Sequence, residues 1–311
     1  MKTWTSFNER PSGNAGSVVT LGNFDGMHLG HQQLMSRLFE WRDALGLPAV
    51  VVTFDPHPAE YLKPQAKRRV LVPLQDRRRI FEGMGLDELV VLPFNEQLRQ
   101  LPAEEFFHSF LGDALNAKHV VLGPDSRFGR GRQGDFDLCK QLGEARDIGC
   151  DRAEPIEVLG RRVSSSLIRG LVEEGDVAQI PSYLGRFYRV RGRVVPGKAR
   201  GRALGFPTAN VACEGTLKPA DGVYGGRLWF AGRAHAAAIS VGSTPTFGEG
   251  ETLVEAHVLD FEGDLYGGTV SVEFQRRLRG QRRFESADAL VEQMRCDVAI
   301  VRADVAKPRR S

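Results

Sequence analysis

The chain has 311 residues, 41 % hydrophobic and 26 % charged, with a formal net charge of +3. That composition excludes a largely disordered chain, and no apolar run approaches the ~18 residues of a membrane span. At ~150 residues per domain, the length corresponds to two domains.

The first half alternates strand-like and helix-like segments. Val18–Leu21 forms a short apolar strand that runs into a Gly-rich turn. From Gln32 to Leu45, the residues Leu34, Met35, Leu38, Trp41 and Leu45 recur at helical spacing. Ala49–Phe54 reads as a buried strand stopped by Asp55-Pro56-His57-Pro58. Helix Arg77–Met84, strand Glu88–Leu92, helix Ala103–Leu115, strand His119–Leu122 and helix Asp137–Asp147 follow. Repeated βα units of this kind predict a doubly wound, Rossmann-like parallel sheet.

Past Pro181 the pattern turns to strands: Tyr188–Val195, Val223–Phe230, Ala236–Val241, Leu253–Phe261 and Thr269–Phe274. A closing helix runs from the N-cap serine Ser286 to about Val301. These elements predict a small β-barrel with a C-terminal helix, and a basic tail, Lys307–Ser311, beyond it. The fold class is therefore α/β plus β, with domains 1–182 and 183–311. Residues 1–182 carry 22 Lys+Arg against 25 Asp+Glu, whereas residues 183–311 carry 20 against 14. The basic excess of the second half suits a phosphate-bearing ligand or RNA, and equally a solvated surface.

The early residues hold one lysine with no apolar run behind it, so no secretory leader is expected. Cys139, Cys150, Cys213 and Cys296 lie far apart, without a C-x-x-C pair or a Cys/His cluster. They point to a reducing, cytoplasmic setting without a structural metal.

Two regions carry chemistry. Gly22–His31 (GNFDGMHLGH) lies between the first strand and the first helix, where doubly wound sheets bind ligands. Glycines admit a phosphate to the backbone, and His28 and His31 can donate to an oxygen gaining charge in phosphoryl or nucleotidyl transfer. Much later, Ser164, Ser165 and Ser166 stand where a helix should begin, with Arg169 about one turn in. Such a start holds a polyphosphate, although serines there are also ordinary caps.

In the second half, residues 192–210 combine glycines, basic residues and a terminal Pro207-Thr208-Ala209-Asn210. The stretch lacks the P-loop pattern, yet it can cover phosphates while Thr208 and Asn210 offer neutral oxygens to Mg²⁺. On the strand at Val254–Asp260, Glu255, His257 and Leu259 share one face. On a barrel interior such a carboxylate must work or be paired; on the exterior it is an ordinary charge.

These motifs together resemble the prokaryotic bifunctional riboflavin kinase/FMN adenylyltransferase family. Gly22–His31, Val163–Arg169, Thr53–Pro58 and Gly123–Gly129 look like its FAD-synthetase module. Ser166 stands where Thr is usual, and Pro124 and Ser126 are less typical neighbours of Asp125. The Gly-rich loop, Asp221–Tyr224, Gly242–Phe247, Glu255–Phe261 and Asp264–Gly267 resemble its riboflavin kinase module, with Phe187 in place of a linker proline.

The resemblance implies that Gly22, Phe24, Asp25, Gly30, Ser164, Ser165, Ser166 and Arg169 bind ATP phosphates, with His28 and His31 catalytic. Asp125, Arg127 and Phe128 would line the nucleotide and flavin site. In the kinase, Gly201, Gly205, Pro207, Thr208 and Asn210 would hold ATP and Mg²⁺. Glu255 would be the base, and Arg279 and Arg283 would close over the flavin. ATP, riboflavin, FMN and FAD are the implied substrates and products. Partners are then small molecules, with neither nucleic acid nor membrane expected and a homo-oligomer left open. Two rival readings compete: a nucleotidyltransferase with another acceptor leaves the barrel idle, and an RNA-binding barrel needs aromatics interleaved with a basic face.

Overall fold

A computed structural model of the chain describes residues 1–6, 16–66, 69–197, 201, 204–243 and 252–304. Parts of three expected features lie outside the described residues: positions 198–200 and 202–203 of the Gly-rich loop, 244–247 of the Gly242 motif, and the 307–311 tail. The chain divides into two compact units, Met1–Ser164 and Ser165–Ser311.

The first unit is built on β1 (Lys2–Trp4), β2 (Ser17–Leu21), β3 (Ala49–Asp55), β4 (Glu88–Pro93), β5 (Ala117–Leu122) and β6 (Gly149–Arg152). They form one parallel sheet in the order β1-β4-β3-β2-β5-β6. Chain order reverses beside β2, which makes its carboxyl end the topological switch point. Period two sends Val19, Val50, Val52, Val90 and Val120 into one apolar layer with Phe106, Phe107 and Leu111. Val18, Val51, Leu89 and Val121 join the other, with Leu34, Met35, Leu38 and Phe81. Burial on both faces explains why these strands read as unbroken apolar runs.

Helix α1 (Leu29–Leu45) is capped by His28 and ends at Gly46, whose φ of 64° allows the left-handed stop. Helices α2 (Pro58–Leu62), α3 (Leu74–Gly83), α4 (Glu96–Gln100) and α5 (Ala103–Glu105) follow in chain order. Beyond α5 the backbone continues as wider π-type turns over Phe106–Ala114, so the expected regular helix to Leu115 is replaced. Helix α6 (Phe136–Glu144) starts at Asp135, which accepts from Leu138 N–H at 3.0 Å. A small hairpin, β7 (Glu157–Val158) and β8 (Arg161–Arg162), precedes the end of the unit.

The second unit opens with α7 (Ser165–Glu174) and α8 (Pro181–Leu184). Its six strands are β9 (Tyr188–Val195), β10 (Ala209–Ala212), β11 (Gly222–Phe230), β12 (Arg233–Ser243), β13 (Thr252–Val258) and β14 (Thr269–Arg279). They close an antiparallel barrel in the order β10-β13-β12-β11-β14-β9. Val190, Val211, Leu228, Ile239, Val254, Ala256, Val272 and Phe274 are all buried and make up its core. The final helix α9 (Ala287–Asp304) packs on β12 and β11. Helix α7 belongs with the barrel: Val172 O accepts from Ala220 N–H at 3.2 Å, and Arg277 donates to Glu174 O at 3.1 Å.

Several strands exceed the sequence expectation, most of all in the barrel. β10 was absorbed into the Gly-rich loop, β12 begins at Arg233, and β14 continues to Arg279 through two bulges against β11. β13 stops earlier than expected, at Val258, because Asp260 takes a φ of 53° in the turn that follows.

Candidate active sites

The first site grows out of the end of β2. Gly22 N–H donates to Val52 O at 3.0 Å, which extends the parallel ladder one step past the strand. The backbone then turns sharply, with φ of 51° at Phe24, 91° at Gly26 and 48° at Met27. Phe24 and Met27 nonetheless point inward and are fully buried. Asp25 is 2 % exposed, and its Oδ1 accepts from the N–H groups of Leu71 (2.8 Å) and Val72 (3.2 Å). Phe24 and Asp25 therefore anchor the turn from the inside.

His28 and His31 stack with ring centroids 3.6 Å apart and 16° between planes. His28 Nδ1 accepts from His31 N–H at 3.3 Å, capping α1. With Nδ1 accepting, a neutral His28 carries its proton on Nε2. Phe24 packs against the His31 ring, 5.2 Å between centroids and tilted by 50°. Gly30 packs tightly under the His28 ring: a Cβ there would stand 3.3 Å from the ring and 4.0 Å from Val163 O. Val163 and the adjoining Ser164 thus end the first unit beside the histidine turn. Ser165 and Ser166 open α7 and Arg169 lies one turn in, as the spacing predicts.

The expected flavin-lining segment divides three ways. Asp125 is exposed and paired with Arg162 at 2.6 Å. Arg127 is exposed and donates to Ser126 O at 3.0 Å. Phe128, 5 % exposed, belongs to the apolar layer beside Phe106, 5.8 Å between rings. Ser126 Oγ accepts from Gly123 N–H at 2.9 Å, so the atypical serine closes the turn after β5. The TFDPHP segment ends in His57, whose Nδ1 accepts from Ala59 N–H at 3.1 Å and caps α2.

The second site lies on the outside of the barrel. Val211, Val254 and Ala256 face the core, so the alternate residues Asn210, Glu255 and His257 face outward. That settles the open question about Glu255: it is on the outer face and half-buried. Asn210 stands directly opposite Glu255 on β13, and Glu255 directly opposite Ser240 on β12. The described ends of the Gly-rich loop lie against this row. Pro207 O lies 2.8 Å from His257 Nδ1, and the Phe206 and His257 rings meet at 5.3 Å. Gly201 O accepts from Phe206 N–H at 2.8 Å and closes the loop, and Gly205 has a φ of 84°.

Gly197 lies so close over Asn210 that a Cβ would collide with the side-chain amide. Asn210 is consequently 5 % exposed although it faces away from the core. Its Oδ1 has no hydrogen-bond partner among the described residues. A buried amide oxygen without a donor is costly, and a hard cation or a ligand donor would satisfy it.

Arg279 is 17 % exposed at its side chain and makes a two-point ion pair with the buried Asp297 of α9, closest at 2.8 Å. Gln293 donates to the same carboxylate at 2.8 Å. Arg279 therefore ties β14 to α9, while Arg283 is exposed. Two groups escaped the sequence reading. Arg77, seen there only as a helix start, is almost fully buried beneath the first turn. Gln281 Nε2 donates to Ser240 Oγ at 3.0 Å, at the end of the Asn210–Glu255 row.

A parallel sheet with a histidine-bearing turn at its switch point defines a nucleotidyltransferase-type unit, and the looped barrel defines a phosphotransferase-type unit. Residues 10–167 match the FAD synthetase family, and residues 184–305 match the riboflavin kinase family. A curated relative from Pseudomonas fluorescens, named bifunctional riboflavin kinase/FMN adenylyltransferase, is 38 % identical over 95 % of both chains. A relative of the same name from Bacillus subtilis is 33 % identical over 91 % of this chain and 90 % of its own. A crystal structure titled as a macrolide-efflux protein from Streptococcus pneumoniae superimposes with a TM-score of 0.88 at 35 % identity. That alignment covers 97 % of this chain and 99 % of the other. The chain belongs to the bifunctional riboflavin kinase/FMN adenylyltransferase family. Among the described residues no helix is long and apolar enough to cross a membrane.

Proposed function

We propose that residues 183–311 phosphorylate riboflavin and residues 1–182 adenylylate the FMN so formed. The observation that carries the reading is the in-register pair Asn210–Glu255 under the Gly-rich loop, with the unpartnered Asn210 oxygen beside a carboxylate. Glu255 takes the proton of the riboflavin 5′-hydroxyl as its oxygen attacks the γ-phosphorus of ATP, and ADP leaves. Thr208 and Asn210 supply neutral oxygens suited to Mg²⁺, which when bound would offset the charge on the phosphates. Gly201, Gly205 and Pro207 shape the cover over the nucleotide, and Arg279 and Arg283 border the flavin.

In the first unit an FMN phosphate oxygen attacks the α-phosphorus of a second ATP, giving FAD and pyrophosphate. His28 and His31 donate to the oxygens that gain charge, with no covalent enzyme intermediate. The turn backbone from Gly22 to Gly30 and the hydroxyls of Ser164, Ser165 and Ser166 receive the polyphosphate, with Arg169 neutralising it. Asp125 and Arg127 border the flavin. The setting is cytoplasmic, and the partners are these small molecules.

The test is a time course with riboflavin, ATP and Mg²⁺, the flavins being separated by chromatography. FMN appearing first and FAD following is the expected result. No flavin turnover would defeat the reading.

A further inference from the structure

Beneath the first site lies a charged side chain that none of the motifs uses. Arg77 is 2 % exposed and projects from the first turn of α3 toward the carboxyl ends of β2 and β3. Its Nη1 donates to the carbonyl of Asn23 and, at 3.3 Å, to Thr53 Oγ1. Its Nε has no partner among the described residues. Asp25 and Asp55 are the carboxylates whose charge it feels, and Asp25 Oδ1 is already committed to backbone N–H groups. Two further buried polar atoms, Thr20 Oγ1 and Asn23 Oδ1, also lack partners among the described residues.

A guanidinium in this position is poor value as packing alone. Buried cations are costly, and an apolar side chain of similar volume often serves stability as well or better. What the arginine adds is a fixed link. The turn it holds has positive φ at three residues, a conformation that persists only when its surroundings determine it. The segment entering α3, and α3 itself, grip this turn three times. Leu71 and Val72 N–H groups hold Asp25, Arg77 holds the Asn23 carbonyl, and Phe81 packs edge-on against Phe24 at 5.3 Å. Phe24 in turn touches His31. A continuous chain of contacts therefore runs from α3 to the histidine pair, and Arg77 also ties it to β3 through Thr53.

We propose that Arg77 is a positioning residue for adenylyl transfer. It locks the phosphate turn to the end of β3, so that His28 and His31 meet the transferred phosphoryl group in one fixed geometry. The inference rests on the reading of the first site given above.

The test uses R77M and R77K in the full chain, with FMN-to-FAD kinetics measured at varied ATP. Riboflavin phosphorylation in the same preparations is the internal control, and thermal melting reports folding. R77M is expected to lower kcat for adenylylation by ~100-fold, the size expected of a small misplacement of reacting groups. The KM for ATP should move by less than about threefold, because contacts common to ground and transition states are untouched. Phosphorylation should be unchanged, and R77K should recover most of the lost kcat.

Folded R77M with wild-type adenylylation, or R77K no better than R77M, would overturn the proposal. Should R77M fail to fold, T53V decides, since it removes one acceptor and keeps the shape. A kcat loss of about threefold or more supports the proposal, and an unchanged kcat overturns it. Wild-type protein that makes no FAD from FMN would defeat the reading of the first site, and this inference with it.

Discussion

At the end of β2 the proposed functional groups ride on a turn that has to be gripped from outside. On β10 and β13 they ride on strands whose register alone places them. The first site depends on buried clamps: Asp25 to Leu71 and Val72, Phe24 against His31 and Phe81, Arg77 to Asn23. The second depends on the pairing of Asn210 with Glu255 and on a glycine that lets the loop settle over the amide. A parallel sheet offers its strand ends to a ligand, so its chemistry lives in loops; a barrel also offers its outer wall. The expected consequence is that the first site is sensitive to remote substitutions, and the second to changes in the row itself.

The largest effect should come from the row. Glu255→Gln is expected to lower FMN formation from riboflavin by ~10²–10⁴, the usual weight of a general base, and to leave FMN adenylylation intact. Steady-state assays of each half-reaction check this. His31→Ala should do the reverse, lowering adenylylation by ~10²–10³ for a lost transition-state donor while phosphorylation continues.

The clamp contrast is sharpened by Asp25→Ala. Two buried N–H groups would lose their acceptor, so the first unit should be destabilised by about 2–4 kcal/mol in urea unfolding. A change below about 0.5 kcal/mol would show that the carboxylate is not what holds the turn.

The smallest effect concerns pH. His119 on β5 is 7 % exposed and stacks on Trp41 at 3.7 Å. Burial pushes its pKa below the ordinary 6.5, with the nearby Asp151 opposing and Arg37 adding to the shift. The folded state therefore prefers the neutral ring. The stability this contributes is complete above pH 6.5 and is lost as pH falls through the lowered folded pKa. Denaturation of wild type and His119→Gln between pH 7.5 and 5 should show the steeper decline in wild type. Equal slopes would contradict it.

Local signals made much of this legible in the sequence. The apolar runs of β2 to β5 and the H-x-G-H spacing are written in contiguous residues, and so are the serines that open α7. What could not be read depends on distant pairing. Arg77 meets Asn23 and Thr53 from 54 and 24 positions away, and no local pattern marks it. The face of Glu255 was ambiguous because both sets of alternate residues on β13 are short or mixed, until Val254 and Ala256 are seen inside the barrel. β1 and β6 are short strands at the two edges of the sheet, of three and four residues. β10 sits behind a proline in a glycine-rich stretch. Such segments become strands through their neighbours and carry little periodicity of their own. Phe24, Asp25 and Phe128 lie in motifs that stand out in the sequence, yet no local pattern shows that their side chains point inward.

The most direct test of a two-site division is to mix the two blocked variants. Glu255→Gln alone should convert supplied FMN to FAD and leave riboflavin untouched. His31→Ala alone should stop at FMN. Combined in one tube with riboflavin, ATP and Mg²⁺, they should again produce FAD. Either folded variant losing both activities, or a mixture that still makes no FAD, would contradict the account.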